Sequence, residues 1–213
     1  MKVAVLCEYS GVVRDAFIQR GHDAVSCDLL PTESHGPHIT GDCRLHDWST
    51  FDLVIAHPTC TRLCNSGVRW LQERYLWDDM RAGAEFFNWC RRQGRANVTE
   101  NPIPHRYARD IIGKYDQVIQ PWQHGHKQTK ATCLWLRGLD PLYPTNIVGP
   151  PPRGEAERRG WAKVHNASPG PDRWKIRSTT LVGVAAAMAD QWGSPRRNGL
   201  VSHTLITPTR DGV

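Results

Sequence analysis

Nothing in this 213-residue sequence approaches the ~20 consecutive apolar residues that crossing a bilayer requires. The first residues, MKVAVLCEYSG, also lack the basic, apolar and cleavage regions of a secretory signal peptide. They read as the first strand of a fold, and the cytoplasm is the expected location. Paired cysteines are missing too. The seven (7, 27, 43, 60, 64, 90 and 133) are odd in number and scattered, which argues for reduced, mostly buried thiols rather than a disulfide framework. Cys60 and Cys64 have no second pair to complete a four-ligand set, so no metal is expected. Acidic residues are in the minority, 21 against 27 Lys and Arg, giving a net charge of +6. Such an excess suits a polyanionic partner, because each phosphate contact releases counterions, although a basic surface that binds nothing has the same composition. The nine tryptophans can stack on bases or fill a core.

What is present is an alternation of short apolar runs with helix-compatible segments. Lys2 to Cys7, Ala24 to Cys27, Asp52 to Ala56, Arg95 to Thr99, Asp116 to Gln120 and Thr132 to Leu136 read as strands. Val12 to Arg20, stopped by Gly21, and Trp77 to Arg92, with Met80, Ala84, Phe87 and Cys90 at helical spacing, read as helices. So does Thr180 to Trp192. The alternation predicts an α/β fold with a mostly parallel sheet covered by helices on both faces. No repeat or long linker divides the chain, which is expected to form one domain over residues 1–193, with a loose tail at 194–213. Residues 140–176, rich in Pro, Gly, Arg and Trp, read as an irregular excursion from that domain.

In open parallel sheets ligands bind beyond the carboxyl ends of the strands. Ser10-Gly11, Asp28, Cys60 and Glu100 all lie just past predicted strand ends, so they are expected on one rim. Cys60 follows a strand and a proline, a position where a thiol can have a lowered pKa and act as a nucleophile. Glu100, in the turn Glu100-Asn101-Pro102, is either a functional acid or a cap for the next helix. Together the two supply a specific reaction. C5 of cytosine is too poor a nucleophile to take a methyl group unaided, but a thiolate adding to C6 converts the ring to an enamine, while an acid at N3 absorbs the developing charge. On the cofactor side, the turn Glu8-Tyr9-Ser10-Gly11 permits close approach at glycine. Asp28 can hold ribose hydroxyls, and Asp42 can contact an adenine edge.

The order of these segments resembles the cytosine-5 DNA methyltransferases, and the whole run from Met1 to about Gly193 is similar to their short, often phage-encoded members. EYSGVVRDAF resembles the family's first cofactor motif, CDLLP its acidic second motif, and GDC (41–43) its third. HPTC (57–60) stands where the family has Pro-Pro-Cys, and ENP (100–102) where it has Glu-Asn-Val. The resemblance implies a Rossmann-like methyltransferase fold, S-adenosyl-L-methionine as cofactor, and DNA as partner, its target cytosine flipped or unpaired. A phage-encoded enzyme of this kind works in the cytoplasm of a bacterial host. Cys60 takes the nucleophile role and Glu100 the N3 contact. Lys130, in QTKATCLWL, stands nearest to the basic residues placed beside the target base. Cofactor contacts are implied at Glu8, Tyr9, Ser10 and Gly11, at Asp28, Leu29 and Asp42, at His57 and Pro58, and at Ser178 and Thr179 in the final helix motif. Substrate contacts are implied at Asn101, Pro102 and Thr129, and in the excursion at Arg153, Arg173 and Trp174, which bind phosphate and bases or else solvate a loop.

This sequence departs from the family at three points. His57-Pro58-Thr59 replaces the doubled proline, one glycine stands in place of Phe-x-Gly-x-Gly, and the large target-recognition domain is missing. The last absence leaves open the same C5 chemistry on RNA or a free nucleotide, or with a donor carrying a larger group. An inactive nucleic-acid-binding module is a further alternative.

Overall fold

The computed structural model describes residues 1–194, so the expected tail lies, after Ser194, outside the described residues. Seven strands form one sheet in the order β3-β2-β1-β4-β5-β7-β6. They are β1 (Lys2–Leu6), β2 (Asp23–Asp28), β3 (His38–Thr40), β4 (Leu53–Ala56), β5 (Ala96–Pro102), β6 (Gln117–Ile119) and β7 (Thr132–Arg137). The neighbours from β3 through β5 are parallel. β7 runs antiparallel to both β5 and β6. The expected α/β architecture is therefore present as an open, mostly parallel sheet, compatible with a Rossmann-like fold. Its strand order reverses between β1 and β4, which opens a crevice there at the carboxyl edge.

Side-chain alternation along the strands assigns the two faces. Val3 and Val5 of β1, with Leu53 and Ile55 of β4, pack against α1 (Val12–Ile18) and α7 (Val182–Trp192). The alternate residues, Ala4, Leu6, Val54 and Ala56, pack with Trp48 and Cys90 on the opposite face. There α3 (Trp77–Cys90) and α4 (Arg106–Ile112) bury Met80, Ala84, Phe87, Ala108 and Ile112 around Trp135. Each large apolar side chain buried in these layers contributes about 1.5–3 kcal/mol. α7 sits close to α1 because its buried face is largely alanine: Ala185, Ala187 and Ala189 beside Met188 and Trp192.

Five elements have little local signal in the sequence: β3, α4, α2 (Arg69–Glu73), and a pair of short helices in the excursion. Those two, α5 (Glu155–Trp161) and α6 (Arg173–Ser178), contain no buried residue. The excursion is therefore more helical than expected, yet it has no core of its own. Among the described residues no helix is long and apolar enough to cross a membrane.

Candidate active site

The turn after β1 is built by its own acid. Glu8 is buried, and its carboxylate accepts hydrogen bonds from the Val13 (2.6 Å) and Arg14 (3.2 Å) amides at the start of α1. It does the work of an N-cap side chain, since Gly11 at that position has none. Gly11 adopts φ +74°, and a Cβ there would meet the Arg14 guanidinium at 2.4 Å. Arg14, 0% exposed, braces the loop after β2 through Ser26 Oγ (3.0 Å), Thr32 Oγ1 (3.3 Å) and the Ser34 carbonyl (3.2 Å). That loop follows directly from Asp28.

At the Asp28 corner one carboxylate oxygen accepts the Leu30 amide (2.9 Å), and Leu29 beside it is exposed. The other oxygen of this half-exposed side chain has no protein partner among the described residues. A free carboxylate oxygen at the end of β2, beside the switch-point crevice, fits the ribose end of a nucleoside cofactor. The remaining expected cofactor contacts are more occupied. Asp42 is taken up by the Arg44 backbone and guanidinium (2.9 and 2.6 Å). Ser10 Oγ is turned toward Glu8, and Pro58 is buried.

The centre of the rim comes from β4 and β5. Their register pairs Ala56 with Thr99, so the next residues, His57 and Glu100, stand side by side on the α7 face. His57 Nδ1 lies 2.9 Å from Glu100 Oε1, with the side chains only 10% and 16% exposed. The contact is a charge pair not aligned as a hydrogen bond, and His57 Nε2 is sealed with no partner among the described residues. Burial by itself would lower the imidazole pKa, but the Glu100 and Glu8 carboxylates outweigh it, against Lys130, and raise it. For Glu100, burial is the largest influence and pushes up, but the charge and close contact of His57 together with Lys130 outweigh it, so the carboxyl titrates below its ordinary value. Glu8 is raised, with burial prevailing over His57 and the two amides. His57 was expected among the cofactor contacts; the structure sets its ring against Glu100.

Lys130 reaches this rim because β7 is antiparallel, which brings the start of the strand to the edge where the parallel strands end. Its Nζ donates to the Thr179 carbonyl (3.3 Å). A cavity of about 20 Å³ separates Glu100 and Lys130 from Thr180, Leu181 and Val184 at the start of α7. That is room for one water and not for a pyrimidine.

Cys60 is half-exposed at the start of a tight turn, where its carbonyl accepts the Leu63 (2.9 Å) and Cys64 (3.1 Å) amides. Its thiol pairs with that of Cys64. Contrary to the expected lowering, the Cys60 thiol is pushed up by this hydrogen bond, by burial and by the Cys64 and Glu100 charges. Cys64 is the more acidic partner: the Cys60 hydrogen bond lowers it against burial, and the Ser66 hydroxyl (3.1 Å) and the Ser66 and Gly67 amides assist. Sequence reading weighed Cys64 only as a metal ligand. The four-residue step that places both thiols on one turn was its available signal. Among the described residues no group of His, Cys, Asp or Glu could hold a metal.

The excursion covers the β1–β2 side of the rim. Trp174 of α6 packs on Tyr9 with ring centroids 5.2 Å apart, the Tyr9 hydroxyl meets Thr179 Oγ1 (3.3 Å), and Lys175 pairs with Glu33. Thr179 Oγ1 and Ser178 Oγ donate back to the Lys175 carbonyl (2.9 and 3.4 Å). Arg173 donates to the Ala167 carbonyl (2.9 Å), Thr129 Oγ1 to the Trp161 carbonyl (3.3 Å), and Arg153 is exposed. Asn101 is not on the rim: it is buried, and its side-chain amide donates to the Pro102 carbonyl. Pro102, half-buried, ends β5. The structure thus brings together Cys60, Glu100, His57 and Lys130, and separately Tyr9, Trp174 and Thr179; Asn101, Arg153 and Asp42 stay apart. No protein-family model matches this chain, and no curated protein proved similar to it.

Proposed function

We propose that this chain transfers a methyl group from S-adenosyl-L-methionine to C5 of cytosine in DNA. The observation that carries this reading is the meeting of Cys60 and Glu100. They come from the ends of adjacent parallel strands, and the Glu100 carboxylate is close enough to raise the Cys60 thiol. A pure binding module has no use for a thiol and a carboxylate so arranged, beside a free aspartate oxygen at a switch point.

In this mechanism Cys64 is the ionised thiol of the pair, its charge held by the turn amides and the Ser66 hydroxyl, and as a thiolate it takes the Cys60 proton when the Cys60 sulfur attacks. The Cys60 sulfur then forms a bond to C6 of the base. Glu100, at N3, compensates the charge that the ring gains. The cofactor, when bound, supplies the electrophilic methyl group that C5 takes up. Asp28 holds its ribose end, and the Tyr9–Trp174 contact excludes water on that side. Loss of the C5 proton to a water molecule and departure of Cys60 as a thiolate, which takes back its proton from Cys64, restore the aromatic ring.

Nucleoside mass spectrometry on DNA from cells expressing the wild type and Cys60→Ala is the direct test. 5-Methylcytosine is expected with the first and absent with the second; methylation that persists in Cys60→Ala refutes the covalent route. The small excursion, with no core of its own, favours a second reading in which the substrate is RNA or a free nucleotide, or the donor carries a larger group. Turnover on a cytosine nucleotide compared with an oligonucleotide separates the substrates, and the mass of the product base identifies the transferred group.

A further inference from the structure

We propose that His57 holds the proton that Glu100 delivers to N3 of cytosine, so that the two side chains act as one acid. The inference rests on the cytosine C5 reading and adds to it a positioning residue that stands in place of a proline. Three features of the site carry it. The β4–β5 register sets His57 beside Glu100, with Nδ1 2.9 Å from Oε1. Both side chains are almost sealed from solvent, so bulk water is a poor proton source for Glu100. Neither ring nitrogen has an aligned hydrogen-bond partner among the described residues, so the 2.9 Å approach of Nδ1 to Glu100 is the ring's close polar contact, one that a small rotation turns into a path for the proton.

The surrounding charges agree. Glu8 from the β1 turn, Glu100 from β5 and Lys130 ahead of β7 face the imidazole. Arg14 also faces Glu8, so Glu100 is the carboxylate that depends on the ring: with His57 protonated it has a cation in contact as well as Lys130, and with His57 neutral it keeps Lys130 alone, which is less favourable for a buried charge. The resting pair therefore carries one proton, and it resides on the ring. A carboxylate alone at N3 has no proton to give. The pair has one.

The step balances as follows. The Cys60 thiolate pair forms the S–C6 bond, the C5=C6 π pair becomes C4=C5, and the C4=N3 π pair moves to N3. The one proton of the pair passes from His57 Nδ1 to Glu100 Oε1 and on to N3, leaving His57 neutral and Glu100 ionised. When the C5 proton leaves and S–C6 breaks, N3 returns its proton through Glu100 to His57.

The test joins a titration to kinetics on the full-length protein. Nitrogen-edited NMR of labelled imidazoles should show His57 still protonated at pH 7 in the wild type, and titrating at least about one unit lower in Glu100→Gln. In kcat/KM on a cytosine oligonucleotide, His57→Gln should move the basic limb at least about one pH unit toward acid, a roughly tenfold loss at pH 8 that recovers toward pH 6. The direction is forced: a proton that prefers the ring is held less tightly by the carboxyl alone. Gln retains a donor to Glu100, so a merely orienting role leaves the profile in place. A neutral His57 at pH 6, or coincident profiles for active wild type and His57→Gln, overturns this inference and leaves the C5 reading standing. A wild type that methylates no cytosine overturns the parent reading and, with it, the proton's destination.

Discussion

Cys60 is a half-exposed thiol beside a carboxylate, an arrangement that by itself suppresses nucleophilicity. Cys64 adds to that suppression. Its turn amides and the Ser66 hydroxyl hold the first negative charge of the pair on Cys64, and its hydrogen bond and charge both push the Cys60 thiol up. Cys64→Ala should therefore speed alkylation of Cys60 at pH 7 by roughly tenfold or more, read by peptide mass spectrometry after iodoacetamide treatment. An unchanged rate shows that Cys64 does not govern the ionisation of Cys60.

The His57–Glu100 pair also makes a pH-dependent contribution to folding. Glu100 is lowered from 4.5, so its share is present above that value and is lost as pH falls through its folded pKa. His57 is raised from 6.5, so its share is complete below that value and is lost as pH rises through its folded pKa. Urea unfolding should show the Glu100→Gln deficit greatest between about pH 4.5 and 6.5 and shrinking on either side. A deficit that does not vary with pH means that the pair is not ionised.

At the level of elements, Arg14 ties α1, β2 and the loop after it into one corner. It is fully buried, pairs with Asp15 (2.8 Å), and donates to Ser26, Thr32 and loop carbonyls. Arg14→Met leaves Asp15 unpaired and the buried Ser26 and loop acceptors short of a donor, at an expected cost of about 3 kcal/mol or more. Denaturant unfolding measures it. The contrast is Arg20, which pairs with Asp190 between α1 and α7 at the surface; Arg20→Ala should cost at most about 1 kcal/mol from the lost pair.

The same elements explain what periodicity reveals. β1, β2, β4, α3 and α7 are legible because each buries a regular apolar pattern along its own length. The direction of β7 is not, because antiparallel pairing with β5 is a long-range choice that leaves no trace within TCLWLR. β3 has three residues, and α5 and α6 bury none, so no pattern is there to read. Cys60 and Glu100 follow strand ends and are legible. The His57–Glu100 contact requires the β4–β5 register, which a single sequence does not display.

For the whole molecule the question is how a base and a cofactor reach a rim that is largely closed. The cavity between Glu100 and α7 holds about 20 Å³, so a cytosine enters only if the cover moves or if the base approaches from the Cys60 side. The cover over the β1–β2 side, where the proposed cofactor would lie, is held by few contacts: Trp174 on Tyr9, Lys175 on Glu33, and Thr179 with Tyr9 and Lys130. None of α6 is buried, so this segment can separate without breaking a core. Trp174 reads from sequence as a stacking platform for DNA or as part of a solvated loop, whereas its position against Tyr9 puts it beside the β1 turn, where the proposed cofactor would lie. The two roles predict opposite results. If it closes over the cofactor, Trp174→Ala should weaken S-adenosyl-L-methionine binding by roughly tenfold, as losing one aromatic contact implies, and leave oligonucleotide affinity nearly intact. Calorimetry with each ligand decides. Weakened DNA binding with unchanged cofactor affinity returns Trp174 to the DNA, and the cover is then opened by the substrate.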